Sequence, residues 1–438
     1  MKYVGAGKVL PKELVRQLQE YVQGEYIYIP VRDKGMNCSV TDYRTELQKR
    51  DAHIYTKYLE GLGRKQLAEI YSLSGSSIRR IIIKQRKGYT EMQDKVTKIL
   101  SCWGLQNSEV RQIYDTAWQV GDSYIMKVYQ DVNMLERNCE ILRILDEMGI
   151  PVGKVVLTRN GDWYAREGCG SQPARQPAGE FSCAERRTVP DGSSEGCGSQ
   201  PALGFLLSQK LPGNSLIQIN DIRELALTMG EVIANLHVAF RRCEDKIEFW
   251  DNSLLDEMNG WVRENFERTD WKYISREEYE EIISHLSELY YELSVQLIHR
   301  DVHFGNFLFS KGKFSGYIDF DLSQRNVRIF DLCYFLLGLL SEEEKFRMAE
   351  REWFEFLPYV FQGYEKILQL SGAERKAVPY VMECIELLFV SWFDGEEDFL
   401  CARDACQIFE FVKRSEEQIW NCIEKNGAAQ LKGREQKN

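Results

Sequence analysis

A chain of 438 residues is too long for one ordinary hydrophobic core and points to two or three domains. Its 44% apolar and 28% charged composition excludes collagenous and low-complexity classes, and apolar runs such as Leu332 to Leu340 fall well short of the roughly 20 residues a membrane helix needs. The net charge of -11 is uneven: residues 1–88 hold 17 Lys and Arg against 9 Asp and Glu, leaving 39 against 58 for the rest, so a basic head precedes an acidic body with different expected partners.

The opening "MKYVGAGKVLPKEL" has no apolar stretch ending in a small-residue cleavage site, and the twelve cysteines are scattered without a CxxC pair. Both point to a cytoplasmic protein with reduced thiols, outside membranes. "KELVRQLQEYV" places Leu14, Leu18 and Val22 on one side of a helix, and "GEYIYIPVRDKG" is a short alternating segment punctuated by Pro30 and Gly35. In "RKQLAEIYSLSGSSIRRIIIKQRK" the apolar positions Leu67, Ala68, Leu73, Ile78 and Ile81 are spaced as the buried face of a helix-turn-helix. A tight turn is expected near Ser72, with Ser74 capping the second helix. Arg79, Arg80 and Lys84 then remain for phosphate contacts and base readout, with Arg86 and Lys87 just beyond. The segment resembles the DNA-binding part of Mor-like transcription activators, which implies DNA as a partner of residues 1–88. A plain three-helix bundle with a solvated basic face satisfies the same pattern.

Past residue 89 the chain reads "SYIMKVYQ" as a strand, "MLERNCEILRILDEMGI" as a helix with Leu135, Cys139 and Leu142 on one stripe, and "GKVVLTRNGDWYA" as two strands around Asn160–Gly161. "EGCGSQPA" occurs at 167–174 and again at 195–202, within a Gly-, Ser-, Pro- and Arg-rich stretch with little to bury. This is expected to be a disordered excursion between two strands. From Ser215 helical patterns dominate through "VMECIELLFVSWF". The predicted fold class is α+β: a small lobe over 89–214, a mostly helical lobe over 215–425 and a disordered tail over 426–438, preceded by a small all-α head over 1–88.

The chemistry is concentrated in "HRDVHFGN", residues 299–306, and the following "FLFSKGKFSGYIDFDLSQ". "FLF" and "FSGYIDF" read as a hairpin around Gly312, which brings Asn306 and Asp319 to its open end, with Asp301 on the loop that feeds it. Two carboxylates and an amide oxygen gathered this way suit Mg²⁺ completed by substrate phosphates. Lys127 alternates with Met126 and Val128, so it faces away from them and offers a cation to those phosphates.

With these residues in place, the stretch from about 105 to 400 resembles the aminoglycoside phosphotransferase and choline kinase family, two-lobed relatives of protein kinases. "HxDxxxxN", an "IDF" strand and a "DL" helix start are matched by His299, Asp301, Asn306, Asp319 and Asp331. The resemblance implies a protein-kinase-like fold and transfer of the γ-phosphate of ATP or GTP to a hydroxyl of a small molecule. Asp301 becomes the catalytic base, Asn306 and Asp319 the Mg²⁺ ligands, and Lys127 the contact to the α- and β-phosphates. His299 becomes structural under the loop, and Asp331 braces it, although an Asp there also suits a simple N-cap. Where the family often carries the Glu that pairs with the Lys, this sequence has Asn138, so Glu140 or Glu136 is the expected partner. Arg300 stands where the family commonly has a small residue and is open to an acidic or phosphorylated partner. The stretch before Lys127 lacks GxGxxG, and neither DFG nor APE follows, which favours a small-molecule acceptor over a protein. Acidic residues such as those of "DGEEDF" suit a cationic acceptor, although acidic helix faces are also simply solvated; Trp250, Trp261, Trp271, Trp353 and Trp392 are candidates to line its pocket, although most of them suit core or helix packing better. The alternative is a transcription regulator whose kinase-like body only senses a ligand.

Overall fold

The computed structural model describes residues 51–168, 202–215, 221–341 and 347–424, apart from single positions at 52, 56, 59, 60, 72, 74, 115, 248, 250 and 397. The chain divides into two units, Met1–Lys95 and Val96–Asn438. The elements expected over 12–35, the turn residues Ser72 and Ser74, most of the repeat stretch and the tail lie outside the described residues.

In the first unit the apolar spacing produces helix α1 (Arg64–Ile70) and the start of α2 (Gly75–Ile99). Leu67, Ile78, Ile81 and Ile82 are buried together with Ile54, and Leu62, Ala68 and Leu73 pack against them. Burying that stripe leaves Arg79, Arg80 and Lys84 exposed.

The second unit opens with a sheet of β1 (Val110–Gln112), β2 (Ala117–Val120), β3 (Tyr124–Tyr129), β4 (Ala165–Arg166) and β5 (Gly204–Gln209), antiparallel in the order β1-β2-β3-β5-β4. Alternation along β3 buries Met126 and Val128 and turns Lys127 the other way. Helix α3 (Val132–Glu147) follows, its first turn capped by the Asp131 carboxylate, which accepts from the Asn133 N–H at 2.8 Å. Leu135 and Cys139 of α3 pack on Tyr129 and Leu206. The turn expected at Asn160–Gly161 closes, with the Thr158 N–H donating to the Asp162 carbonyl at 2.9 Å, but the strands around it are shorter than expected. The first is reduced to an isolated bridge at Val155, because Val156 and Arg159 donate to Leu207 and Cys102 at 2.8 Å each, and the second is reduced to β4, which begins at Ala165.

Strands β4 and β5 flank the repeat stretch directly: Arg166 pairs with Gly204, and the Glu167 N–H donates to the Leu203 carbonyl at 2.8 Å. Replacing residues 169–201 by a two-residue Asn-Gly turn therefore closes a hairpin whose ends are already paired. The melting temperature of that variant is expected to stay within about 2 °C of the parent. A fall of more than about 5 °C in a circular-dichroism melt would show that the stretch supports the fold.

The helical part contains α4 (Ile222–Glu244), α5 (Leu254–Glu257), α6 (Arg263–Arg268) and α7 (Arg276–Tyr290), then α8 (Ile329–Gly338), α9 (Glu350–Glu365), α10 (Gly372–Gly395) and α11 (Phe399–Arg414). Helices α4 and α9 cross at backbone contact. A Cβ on Gly230 would sit 2.0 Å from the Val360 carbonyl oxygen, and one on Gly363 would sit 2.1 Å from that of Leu227. Only glycine permits this approach, and it brings His237 of α4 against Tyr364 of α9. Ser371 and Glu374 form a reciprocal cap on α10, and Glu374 also holds Arg328, the residue that leads into α8.

Two short strand pairs frame the loop between the lobes. Strand β6 (Val295–Ile298) pairs with β9 (Gln324–Val327), and β7 (Phe307–Ser310) pairs with β8 (Lys313–Tyr317) through a turn at Gly312, whose φ is 74°. The loop "HRDVHFGN" leaves the end of β6 and enters β7, so its position is fixed at both ends. Among the described residues no helix is long and apolar enough to cross a membrane.

Candidate active site

The loop is tied down from below by Asp331, near the start of α8. Its two carboxylate oxygens accept the His299 N–H at 2.9 Å and the Arg300 N–H at 2.8 Å, and the first also meets His237 Nε2 at 2.9 Å. His237 and Asp331 are fully buried, and the other imidazole nitrogen of His237 meets the Tyr364 hydroxyl at 2.9 Å. Arg300 adopts φ of 67°, a conformation non-glycine residues rarely hold. The two adjacent N–H groups are satisfied by a single carboxylate while the side chain reaches Glu257 at 2.7 and 3.0 Å. The buried His299 ring packs on Phe320 and meets the Ile318 carbonyl through Nε2 at 3.1 Å.

Asp301 follows. Tyr334, one turn beyond Asp331 on α8, donates its hydroxyl to Oδ1 at 2.9 Å. The Asn306 amide donates to Oδ2 and to the Asp301 carbonyl, both at 2.9 Å. Since both partners of that nitrogen are acceptors, Asn306 Oδ1 faces the other way. His303 Nε2 lies 3.6 Å from Oδ2. Burial pushes the Asp301 carboxyl up, but the hydrogen bond and charge of His303, the Tyr334 hydroxyl and His299 outweigh it and bring the group to about 2.

Asn306 and the segment after β8 meet where the Ile318 N–H donates to the Asn306 carbonyl at 3.1 Å. The next residue, Asp319, turns through φ of 64° and leaves its carboxylate about half exposed. Lys127 reaches across from β3 to Asp319 Oδ1 at 2.7 Å and to Asp321 Oδ2 at 2.7 Å. The helix glutamates do not take part, contrary to expectation. Glu140 is held by Arg143 at 2.8 Å, and Glu136 by Arg166 at 2.9 Å and by the Tyr164 hydroxyl. In their place the buried Asn138 donates to Asp321 Oδ1 and lies 3.3 Å from the Tyr129 hydroxyl.

Residues 107–375, more than half of the chain, match the phosphotransferase enzyme family. The chain belongs to that family. Of curated proteins, the uncharacterized protein YraL of Bacillus subtilis (strain 168) is 36% identical over 86 residues, 19% of this chain and 97% of that one. Among solved structures, amicoumacin kinase hAmiN in complex with AMP-PNP, Ca²⁺ and Ami is similar with a TM-score of 0.51 and 18% identity, over 76% of this chain and 96% of that one. The microcompartment-associated aminopropanol kinase gives a TM-score of 0.49 at 16% identity, over 75% and 98% of the two chains. The likeness to hAmiN shows that this phosphotransferase has the mixed helical and sheet fold of kinase-like enzymes.

In this phosphotransferase a cavity of about 330 Å³ opens beside Asp301. Asp301, His303, Tyr334, Trp392, Glu386 and Asp404 are among the residues that line it. Burial pushes the Glu386 carboxyl well above the usual carboxylate range, and the Asp404 charge adds to that. Asp404 accepts from the Ser341 hydroxyl at 2.9 Å. Of the acidic "DGEEDF" segment, Asp394 is committed to Lys272 at 3.0 Å and to the Tyr273 hydroxyl at 2.7 Å. Of the five candidate tryptophans, Trp392 lines this cavity, whereas Trp271 stacks on Phe266 and Trp353 is core, the packing roles that most of the five suited; Trp261 is partly exposed, and Trp250 lies outside the described residues. Among the described residues no group of three or more His, Cys, Asp or Glu forms a protein-only metal site. Asp319 and Asn306 Oδ1 instead offer two hard oxygens, which fits a Mg²⁺ ion completed by phosphate and water.

Sequence reasoning missed Asp321, Tyr334 and His237. Asp321 sits two residues from Asp319 in "IDFD", and Tyr334 three beyond Asp331, so both were accessible to periodicity. His237 carried no local signal, because its partner is 94 residues away.

Proposed function

We propose that the chain transfers the γ-phosphate of ATP or GTP to a hydroxyl of a small acceptor, with Asp301 as the catalytic base. The observation that carries this is the Asp301 carboxylate, oriented by Asn306 and Tyr334 at the edge of a 330 Å³ cavity. An acceptor hydroxyl in that cavity meets an oriented acceptor of its proton on the side where Asn306 and Asp319 gather. Lys127 contacts the phosphates. Asn306 and Asp319 would hold Mg²⁺, which when bound offsets charge on the phosphates. His299 and Asp331 keep the loop in shape, as their hydrogen bonds support. AMP-PNP is named with hAmiN, and the shared fold is our reason to assign a nucleotide to the Lys127 side. Asp404 in the lining of that cavity favours an acceptor carrying an amine, to which the neutral Glu386 beside it offers a hydrogen-bond acceptor, and the volume favours one no larger than one or two sugar rings. Acceptor-dependent release of nucleoside diphosphate, scanned over amino alcohols, amino sugars and homoserine with ATP and GTP, tests the reaction.

A second role for residues 1–88 follows from Arg79, Arg80 and Lys84, which stay exposed while Ile78, Ile81 and Ile82 are buried. We propose that this head binds DNA. A mobility shift of the full chain is expected to weaken steeply between 50 and 200 mM salt, roughly 10-fold or more. The triple Ala variant of Arg79, Arg80 and Lys84 is expected to flatten that dependence, and no shift at the lowest salt would remove the DNA role. A pure ligand sensor is disfavoured, because binding alone gives no reason for the Asp301, Asn306, Asp319 and Lys127 set to be complete.

A further inference from the structure

We propose that Asp321, positioned by Asn138, anchors Lys127 for the nucleotide phosphates, so that the carboxylate sits beyond Asp319 while helix α3 supplies a neutral donor. This rests on the nucleotide reading above and deepens it. The two oxygens of Asp321 are divided: Oδ2 takes Lys127 Nζ at 2.7 Å, and Oδ1 takes the Asn138 amide. Tyr129, between Lys127 and the helix, meets both Asn138 at 3.3 Å and Asp321 at 3.4 Å. Asn138 is 3% exposed, so its amide is committed to this contact, whereas Glu136 and Glu140 are taken up by arginines.

The residue types explain one another. A carboxylate at position 138 would stand against Asp321 at hydrogen-bond distance in a half-buried site, where like charges repel strongly. Asparagine converts that clash into a hydrogen bond, and it frees Asp321 to carry the charge for Lys127. The arrangement also spans the molecule differently from a pair built within one lobe. Lys127 and Asn138 belong to β3 and α3, while Asp319 and Asp321 follow β8, so Lys127 is tied to the segment that would hold the metal. Lys127 bridges both carboxylates. Were Asp319 to hold a metal, Asp321 would still hold Lys127.

The test is equilibrium binding of magnesium and AMP-PNP, without acceptor, to the full chain and five variants whose circular dichroism matches the parent. Asp321→Asn is expected to weaken binding by about 10- to 100-fold. Asn138→Glu alone also weakens it, through like charge, whereas Asn138→Glu combined with Asp321→Asn restores at least half of the loss on a logarithmic scale. Adding Asp321→Asn to Lys127→Ala costs less than about twofold, because the two act through one contact. The proposal is overturned if Asp321→Asn binds as the parent does, or if its loss is undiminished in the Lys127→Ala background. It is also overturned if the loss disappears at high magnesium and the charge exchange restores nothing, which would make Asp321 a metal ligand. A parent chain that binds neither AMP-PNP nor GMP-PNP would remove the nucleotide reading itself, a result distinct from these.

Discussion

Asp301→Ala is expected to lower kcat by about 10²- to 10⁴-fold while leaving nucleotide affinity within about twofold. The split follows from position. Asp301 lines the acceptor cavity and is held by Tyr334 and Asn306, whereas the groups assigned to the nucleotide are Lys127, Asp319 and Asp321. The pH dependence carries a sign. Folding lowers the Asp301 carboxyl to about 2, against about 3.9 for a free Asp, so the folded state favours the ionised form. Its contribution to stability is complete above pH ~4 and is lost as pH falls toward 2. No acid limb of the rate profile between pH 5 and 8 is therefore expected from this group, and a limb that vanished in Asp301→Asn would contradict the assignment. In the proposed reaction, a carboxyl held this low suits a group that orients the acceptor hydroxyl more than one that takes its proton early.

Asp331→Ala is expected to produce the largest loss of stability, about 3–5 kcal/mol. The substitution leaves the N–H groups of His299 and Arg300 and one nitrogen of His237 without their buried acceptor. Each such orphan costs about 1–3 kcal/mol, partly relieved by relaxation. Asp331→Asn keeps the shape but opposes an amide donor to one of those donors, so its loss falls between parent and Ala. Urea unfolding followed by circular dichroism measures both. A loss below about 1 kcal/mol for Ala would show that the loop is braced by other contacts. Because the strained Arg300 directly precedes Asp301, activity in either variant is expected to fall further than the population of folded protein does.

The sequence made the reacting loop legible because its spacing is local. Hairpin arithmetic placed Asn306 and Asp319 at one end; β7 and β8 form that hairpin around Gly312, but with a register shift at Leu308–Phe309 and with β8 ending at Tyr317, so Ile318 to Phe320 continue beyond the strand. Alternation in "IMKVY" turned Lys127 into the site for the same reason. The partner of Lys127 was not legible. Glu136 and Glu140 share a helix face, and periodicity alone did not reveal that Arg143 and Arg166 compete for them. Nor did it reveal that Asn138 faces a carboxylate 183 residues away. Strand β6, pairing with β9 across the loop, was also unread, since "VQLI" and "QRNV" carry no clear alternation and gain their order from tertiary pairing. The cavity behind Asp301 depends on α8, α10 and α11 converging, and its acidic residues Glu386 and Asp404 came from helices that read only as buried and amphipathic.

The central claim is that Asp301 serves phosphoryl transfer to a small hydroxyl compound. It is tested most directly by incubating the full chain with magnesium and γ-labelled ATP or GTP and each of a set of amino alcohols and amino sugars, then following the label. Transfer of the label into one acceptor by the parent, with Asp301→Ala reduced at least about 100-fold, is the predicted result. Label that stays on the nucleotide with every acceptor, or reaches an acceptor equally fast in Asp301→Ala, would contradict it.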